Sequence, residues 1–232
     1  MKVVILAGGL GSRLKPFTEV IPKPLLPIGE KSVLEIQIEN LKKHGFTDVY
    51  LATNYKSEYV SNFFGNGDRY GVNLEISKEV NPLGTAGPLT LLKDKLDEPF
   101  LVMNGDILSL LNFKDLYDFA CNQESILTIT IKKIITPYAF GNIFFDGDFV
   151  TGIEEKPDII NFALSGIYVM KPEVFEFIPD NTYFGMDSLI KTLITKDLPV
   201  SKFEIKDYWL DIGRIEDYQK AQEVYETHFK DH

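Results

Sequence analysis

The chain is poor in cysteine, in histidine and in positive charge. Cys121 is the only cysteine among 232 residues. That excludes an intrachain disulfide and a cysteine-built metal site, and it fits a reducing, cytoplasmic setting. The net charge is −10 with no basic stripe, so no nucleic-acid partner is expected. A few cations can still be focused on a small polyanion. No stretch reaches the roughly 18 apolar residues of a membrane helix, so no membrane partner is expected either. The opening "MKVVILAGG" is too short in its apolar part for a secretory leader and turns at once into glycines. The histidines, His44, His228 and His232, fall at helix ends or the C-terminus and are left out of the site. The G-x-x-x-x-G-K-[ST] phosphate loop is also missing.

What is present reads as a globular α/β chain. Apolar residues make up 44% and charged residues 25%, ordinary values for such a protein. The first half alternates strand-like runs (2–7, 48–54, 72–77 and 99–104) with helical spacing (32–45, 57–65 and 85–96). Repeated β-α units predict a largely parallel sheet with right-handed crossovers. The second half is richer in strands: 125–134, 141–146, 149–156, 163–170 and 199–205, with a hairpin turn at 147–149. Helical stretches are expected around 172–178, 186–195 and 214–228. The expected fold is a Rossmann-like, mostly parallel mixed sheet flanked by helices, with a β-rich extension. A single domain, 1–232, would comprise a nucleotide-type α/β core (1–122) and a β-rich, closing part (123–232).

The segment "LAGGLGSRLKPFTEVIPKP" (6–24) carries the chemistry. Gly8, Gly9 and Gly11 let the backbone bend and approach a ligand closely. Successive N–H groups in such a loop form an anion-binding concavity. Arg13 adds a planar fork suited to phosphate oxygens, and Lys23 is a point charge stiffened between Pro22 and Pro24. The dinucleotide fingerprint fails, because Leu14 stands where Gly or Ala is required and the prolines keep the following segment irregular. That argues against a nicotinamide-dependent oxidoreductase.

The string "LAGGLGSRLKPFTEVIPKPLLPI" resembles the sugar-1-phosphate nucleotidylyltransferase family. Its glycine loop, Arg13, Leu14, Pro16, Thr18 and the Pro22-Lys23-Pro24 clamp all match. "NPLGTAGPL" (81–89), "VMNGDI" (102–107), "EEKP" (154–157), "SGIYV" (165–169) and "YWLDIG" (208–213) continue the likeness in order. The look is nearest to guanylyltransferases of mannose or heptose 1-phosphates. The resemblance implies transfer of a nucleotidyl group from a nucleoside triphosphate to a sugar 1-phosphate, with release of pyrophosphate.

It also implies roles. Asp106 and Asp211 would hold Mg²⁺. Arg13 and Lys23 would bind the triphosphate, and Lys156 the sugar phosphate. Leu6, Ala7, Gly8, Gly9, Gly11, Glu79 and Gly84 would surround the nucleotide, with Glu79 able to accept from the donor edge of guanine. Gly141, Glu155, Ser165 and Asp187 would contact the sugar. One departure stands out: Leu164 occupies a position where many guanylyl-type members carry Asn. Uridylyl-, thymidylyl- and cytidylyltransferase readings therefore stay open, as does a non-catalytic nucleotide-sugar sensor. Because the chain closes soon after its last helix, a stand-alone unit for polysaccharide or cell-wall precursor synthesis is expected, possible self-pairing of the β-rich part being left open.

Overall fold

The computed structural model describes residues 1–54 and 56–230, so the reading of His232 lies outside the described residues. The elements, in chain order, are strand β1 (Lys2–Leu6), helix α1 (Phe17–Val20), strands β2 (Pro27–Ile28) and β3 (Lys31–Ser32), helix α2 (Val33–Lys43), strand β4 (Asp48–Thr53), helix α3 (Ser57–Phe64) and strand β5 (Asn73–Lys78). Then come β6 (Phe100–Asn104), β7 (Ile107–Ser109), α4 (Phe113–Cys121), β8 (Leu127–Pro137), β9 (Asn142–Asp146), β10 (Phe149–Glu154) and β11 (Asp158–Met170). Helix α5 (Met186–Thr195), strands β12 (Val200–Glu204) and β13 (Trp209–Asp211) and helix α6 (Ile215–His228) close the chain.

Seven strands form one sheet in the order β12-β8-β11-β6-β1-β4-β5. β6, β1, β4 and β5 run parallel, and β11 alone is antiparallel to its neighbours. Both faces are covered, as a parallel sheet requires. Val3 and Ile5 of β1 face a core shared with α2, α3 and α4 (Leu34, Val60, Phe113). Val4, between them, faces the opposite core with Leu89, Met186 and Leu189. The apolar run "KVVIL" is thus explained by burial on two sides. Helix α2 starts with a reciprocal capping box between Ser32 and Glu35, which satisfies two otherwise unpaired N–H groups. A third cluster packs α6 (Ala221, Tyr225) on Leu14, Leu26 and Ile28. The last helix therefore buttresses the glycine-loop segment from behind.

Three sequence expectations change. Residues 85–96 form no α-helix. A 3-10 segment covers Gly87–Leu92, and the Ala86 and Gly87 N–H groups just before and at its start both donate to the Phe184 carbonyl. The segment after the glycine loop is less irregular than expected: single helical turns occupy Ser12–Leu14, Phe17–Val20 and Lys23–Leu25. β11 starts at Asp158 rather than 163, and pairs with β8 out to Pro137.

Candidate active site

The parallel register brings the site together. Leu6 lies beside Ala52 on one side and Asn104 on the other, and Thr53 beside Lys78. The chain leaves all four parallel strands at the same edge of the sheet. Consequently Gly8, Asn54, Glu79 and Asp106, distant in sequence, line one crevice, as ligand sites in open α/β sheets do.

Two adjoining cavities occupy it, and both are lined by Leu6, Gly9 and Asp106. The first, about 220 Å³, adds Ala7, Gly11, Arg13, Lys23 and Gly213. Gly11 sits at φ +61, and a Cβ there would lie 2.7 Å from the Thr18 methyl. The Thr18 hydroxyl donates to the Gly11 carbonyl at 2.8 Å and holds that turn. Lys23 forms an ion pair with Asp106 Oδ2, while the buried Asp106 Oδ1 has no partner.

A short antiparallel pairing supplies the second carboxylate. β13 lies on β7 with Asp211 opposite Ile107, and the Ile212 N–H donates to the Asp106 carbonyl at 2.9 Å. Asp211 Oδ1 and an Arg13 guanidinium nitrogen both lie within 4 Å of one point beside Gly213, as does Asp217 Oδ2. Removal from bulk water, and secondarily the Asp106 charge, push the Asp211 carboxyl above its ordinary range, against Lys23 and Arg13. Two carboxylates that repel each other, one with an orphaned buried oxygen, fit a hard cation that takes its remaining ligands from phosphates. Among the described residues no group of three or more His, Cys, Asp or Glu could hold a metal by itself.

The second cavity, about 360 Å³, is lined by Gly8, Asn54, Glu79, Gly84, Thr85, Asn104 and Tyr183 among others. Glu79 is buried, 7% exposed, and burial raises its carboxyl above the usual range, against a hydrogen bond from the Leu83 N–H at 2.8 Å and one from Asn54. Gly84, at φ +82, bridges to Phe184; a Cβ there would meet the Phe184 carbonyl at 2.7 Å. Thr85 accepts from the Met186 N–H at 2.8 Å, which ties the start of α5 to this loop.

The structure does not bring the expected sugar residues to these cavities. Lys156 is exposed, at φ +47 in the turn after β10, 4.0 Å from Glu155. Gly141 lies against Glu155 in the same region. Asp187 is exposed in the first turn of α5 and pairs with Lys191 at 3.0 Å. The Ser165 hydroxyl is wholly buried against Thr130, and its carbonyl accepts from the Trp209 indole at 2.8 Å. Ser165 thus acts inward, at the bulge where Gly166 (φ +73) lets β11 pass close to Asn104.

Sequence reasoning missed Gln37. Its buried amide donates to the carbonyls of Asn104 (3.0 Å) and Ile107 (2.7 Å), the two ends of the turn that carries Asp106. The signal was a lone polar residue on the apolar face of α2, between Val33 and Leu41.

No helix among the described residues is long and apolar enough to cross a membrane. The nucleotidyl transferase family matches residues 2–228. A probable mannose-1-phosphate guanylyltransferase 3 of Oryza sativa subsp. japonica is 36% identical over 97% of this chain. The chain spans 64% of that relative's length. Among solved structures, a putative glucose-1-phosphate thymidylyltransferase from Bacillus anthracis, in complex with a sucrose, superposes with TM-score 0.80 at 26% identity, covering 98% of this chain and 96% of that one. HddC from Yersinia pseudotuberculosis, complexed with GMP-PN, gives TM-score 0.74 at 30% identity, covering 97% and 99%. With the match running over nearly its whole length, the chain belongs to the nucleotidyl transferase family.

Proposed function

We propose that this protein transfers a guanylyl group from GTP to a mannose- or heptose-type sugar 1-phosphate and releases pyrophosphate. The observation that carries the reading is the convergence of Arg13, Lys23, Asp106 and Asp211 at the mouth of a glycine loop. A sugar phosphate oxygen attacks the α-phosphorus. The new P–O bond forms as the bond to the bridging oxygen breaks, and both electrons of that bond leave with pyrophosphate. The attacking phosphate is already anionic, so alignment and charge neutralisation carry the catalysis.

Arg13 and the loop N–H groups hold the leaving phosphates. Lys23 exchanges its contact with Asp106 for a phosphate oxygen when the triphosphate arrives. Asp106 and Asp211 would hold Mg²⁺, which when bound supplies charge neutralisation at the phosphates. The base enters the second cavity between Gly8 and Gly84, where ionised Glu79 accepts from the guanine edge. Lys156, Glu155, Gly141 and Asp187 belong to the sugar side, and the half-exposed Leu164 replaces a polar contact there. The guanylyl reading is supported by the names of the rice relative and by the GMP-PN complex of HddC. The reaction belongs in the cytoplasm, where nucleoside triphosphates are at hand.

The test is pyrophosphate release with Mg²⁺, crossing GTP, UTP, dTTP, CTP and ATP with a panel of sugar 1-phosphates. Turnover confined to GTP and a mannose-type phosphate supports the reading. Turnover with dTTP and a glucose-type phosphate instead favours the chemistry named for the Bacillus anthracis protein.

A further inference from the structure

Asp106, Asp211 and Asp217 all gather around the first cavity, and the reaction proposed above uses only the first two. Asp106 pairs with Lys23, and with Asp211 it forms the pair that fits a cation. Asp217 is half-buried in the first turn of α6. One point beside Gly213 lies 3.6 Å from Arg13 Nη1, 3.7 Å from Asp211 Oδ1 and 3.7 Å from Asp217 Oδ2. The guanidinium thus stands between two carboxylates, yet among the described residues it is in no ion pair within 4.0 Å.

The backbones that carry Arg13 and Asp217 are fixed to each other. Leu14, next to Arg13, is wholly buried in the cluster that holds Ala221 and Tyr225 of α6. The Tyr218 hydroxyl donates to the Pro27 carbonyl at 2.7 Å, and the Gly29 N–H donates to Gln222 Oε1 at 2.9 Å. Asp217 itself is held by the Arg214 N–H, which donates to its Oδ2 at 2.9 Å. What stays free is the long, exposed Arg13 side chain, which is rich in rotamers. Ordering such a side chain at the moment of binding costs affinity, and a neighbour that orders it beforehand removes that cost. Asp211 cannot be that neighbour once a cation takes its lone pairs. Asp217 lies outside the cation pair and keeps its charge for the guanidinium.

We infer that Asp217 is the positioning residue for Arg13: its carboxylate turns the guanidinium fork toward the leaving phosphates. The inference rests on the reading of Arg13 given above, but on no choice of base or sugar.

A capping role alone needs only an acceptor at the third position of α6, which asparagine also supplies. The sign of the effect separates the two roles further. By charge alone, removing a carboxylate beside a polyphosphate tightens binding; acting through Arg13, it weakens binding.

The experiment is calorimetric titration of inorganic pyrophosphate with Mg²⁺ into the full chain, for wild type, Asp217→Asn and Asp217→Glu, each with Arg13 present and with Arg13→Ala. Asp217→Asn is expected to bind about tenfold more weakly, the low end for one hydrogen bond to a charged group, with an unchanged unfolding midpoint. Asp217→Glu keeps the charge and should restore most of the affinity. In the Arg13→Ala background Asp217→Asn should be neutral or tighter. In turnover with the preferred triphosphate, KM should rise by the same factor while kcat holds, as loss of uniform binding requires. Asp217→Asn binding as wild type or more tightly overturns the inference. So does equal weakening without Arg13, or a Glu variant as damaged as Asn. A wild type that turns over only dTTP, with the Asn effect intact, overturns the guanylyl reading and upholds the inference. A wild type that binds no pyrophosphate overturns the inference together with the phosphate role of Arg13.

Discussion

Replacing Gln37 by Met tests how the turn bearing Asp106 is held. The amide lies at the centre of α2 and donates to the Asn104 and Ile107 carbonyls at 3.0 and 2.7 Å. Methionine keeps the volume and removes both donors. A buried acceptor left unpaired costs about 1–3 kcal/mol. Part of that is offset, because Gln37 Oε1 already lacks a partner and leaves with the amide. A net loss of about 2 kcal/mol in stability is expected, again at the scale of one unmade buried hydrogen bond. The functional effect should be larger. A shift of ~1 Å in the turn moves Asp106 from its place and costs on the order of 10²-fold in turnover. Urea unfolding measures the first quantity. Pyrophosphate release against Mg²⁺ concentration measures the second, and half-saturation should move to higher Mg²⁺. Gln37→Glu sharpens the test by aiming a carboxylate at two carbonyl oxygens. Its pKa is forced up in the folded state, so the damage should exceed that of Met at pH 7 and fade as pH drops below the ordinary glutamate value. A Met variant with wild-type unfolding midpoint and wild-type Mg²⁺ dependence refutes the reasoning.

Asp106→Asn and Asp211→Asn should each cut turnover by roughly 10²-fold or more with an unchanged circular dichroism spectrum; near-normal rates in both would remove the cation site. Gly11→Ala places a Cβ 2.7 Å from the Thr18 methyl at φ +61. It should cost about 1–2 kcal/mol from the left-handed backbone alone and weaken triphosphate binding in calorimetry; unaltered affinity contradicts the cradle. Glu79→Gln should erode the preference for GTP in the donor panel. Its pH profile has a defined sign. Burial raises the folded-state pKa of Glu79, so the ionised group opposes folding above its unfolded value. The Gln variant should therefore be more stable than wild type at pH 7, with the gain vanishing as pH falls through about 4; a variant less stable at pH 7 would show that the Leu83 and Asn54 hydrogen bonds dominate.

Much of the fold was legible because period and burial agree. β1, β4 and β6 announce themselves as short apolar runs, and α2 by its spacing and its Ser32-Glu35 box. The 85–96 stretch was misread because its apolar spacing fits a helix, whereas the chain there is tied by its Ala86 and Gly87 N–H groups to the Phe184 carbonyl, about a hundred residues away, and continues as a 3-10 segment. The full length of β11 was hidden because residues 158–162 alternate poorly and are held only by pairing with β8.

The site divides in the same way. The sequence by itself determined the local machinery: glycines for close approach, Arg13 and Lys23 for charge, and the Pro22-Lys23-Pro24 clamp, because backbone freedom, charge and proline geometry are properties of adjacent residues. Only the tertiary structure decided which distant groups meet. Parallel register set Glu79 beside Gly8, the β7–β13 pairing set Asp211 beside Asp106, and α2 carried Gln37 under the turn. It also turned Ser165 inward and left residues 132–164 without a core. Such meetings depend on strand register and packing across the whole chain, and no stretch of neighbouring residues encodes them.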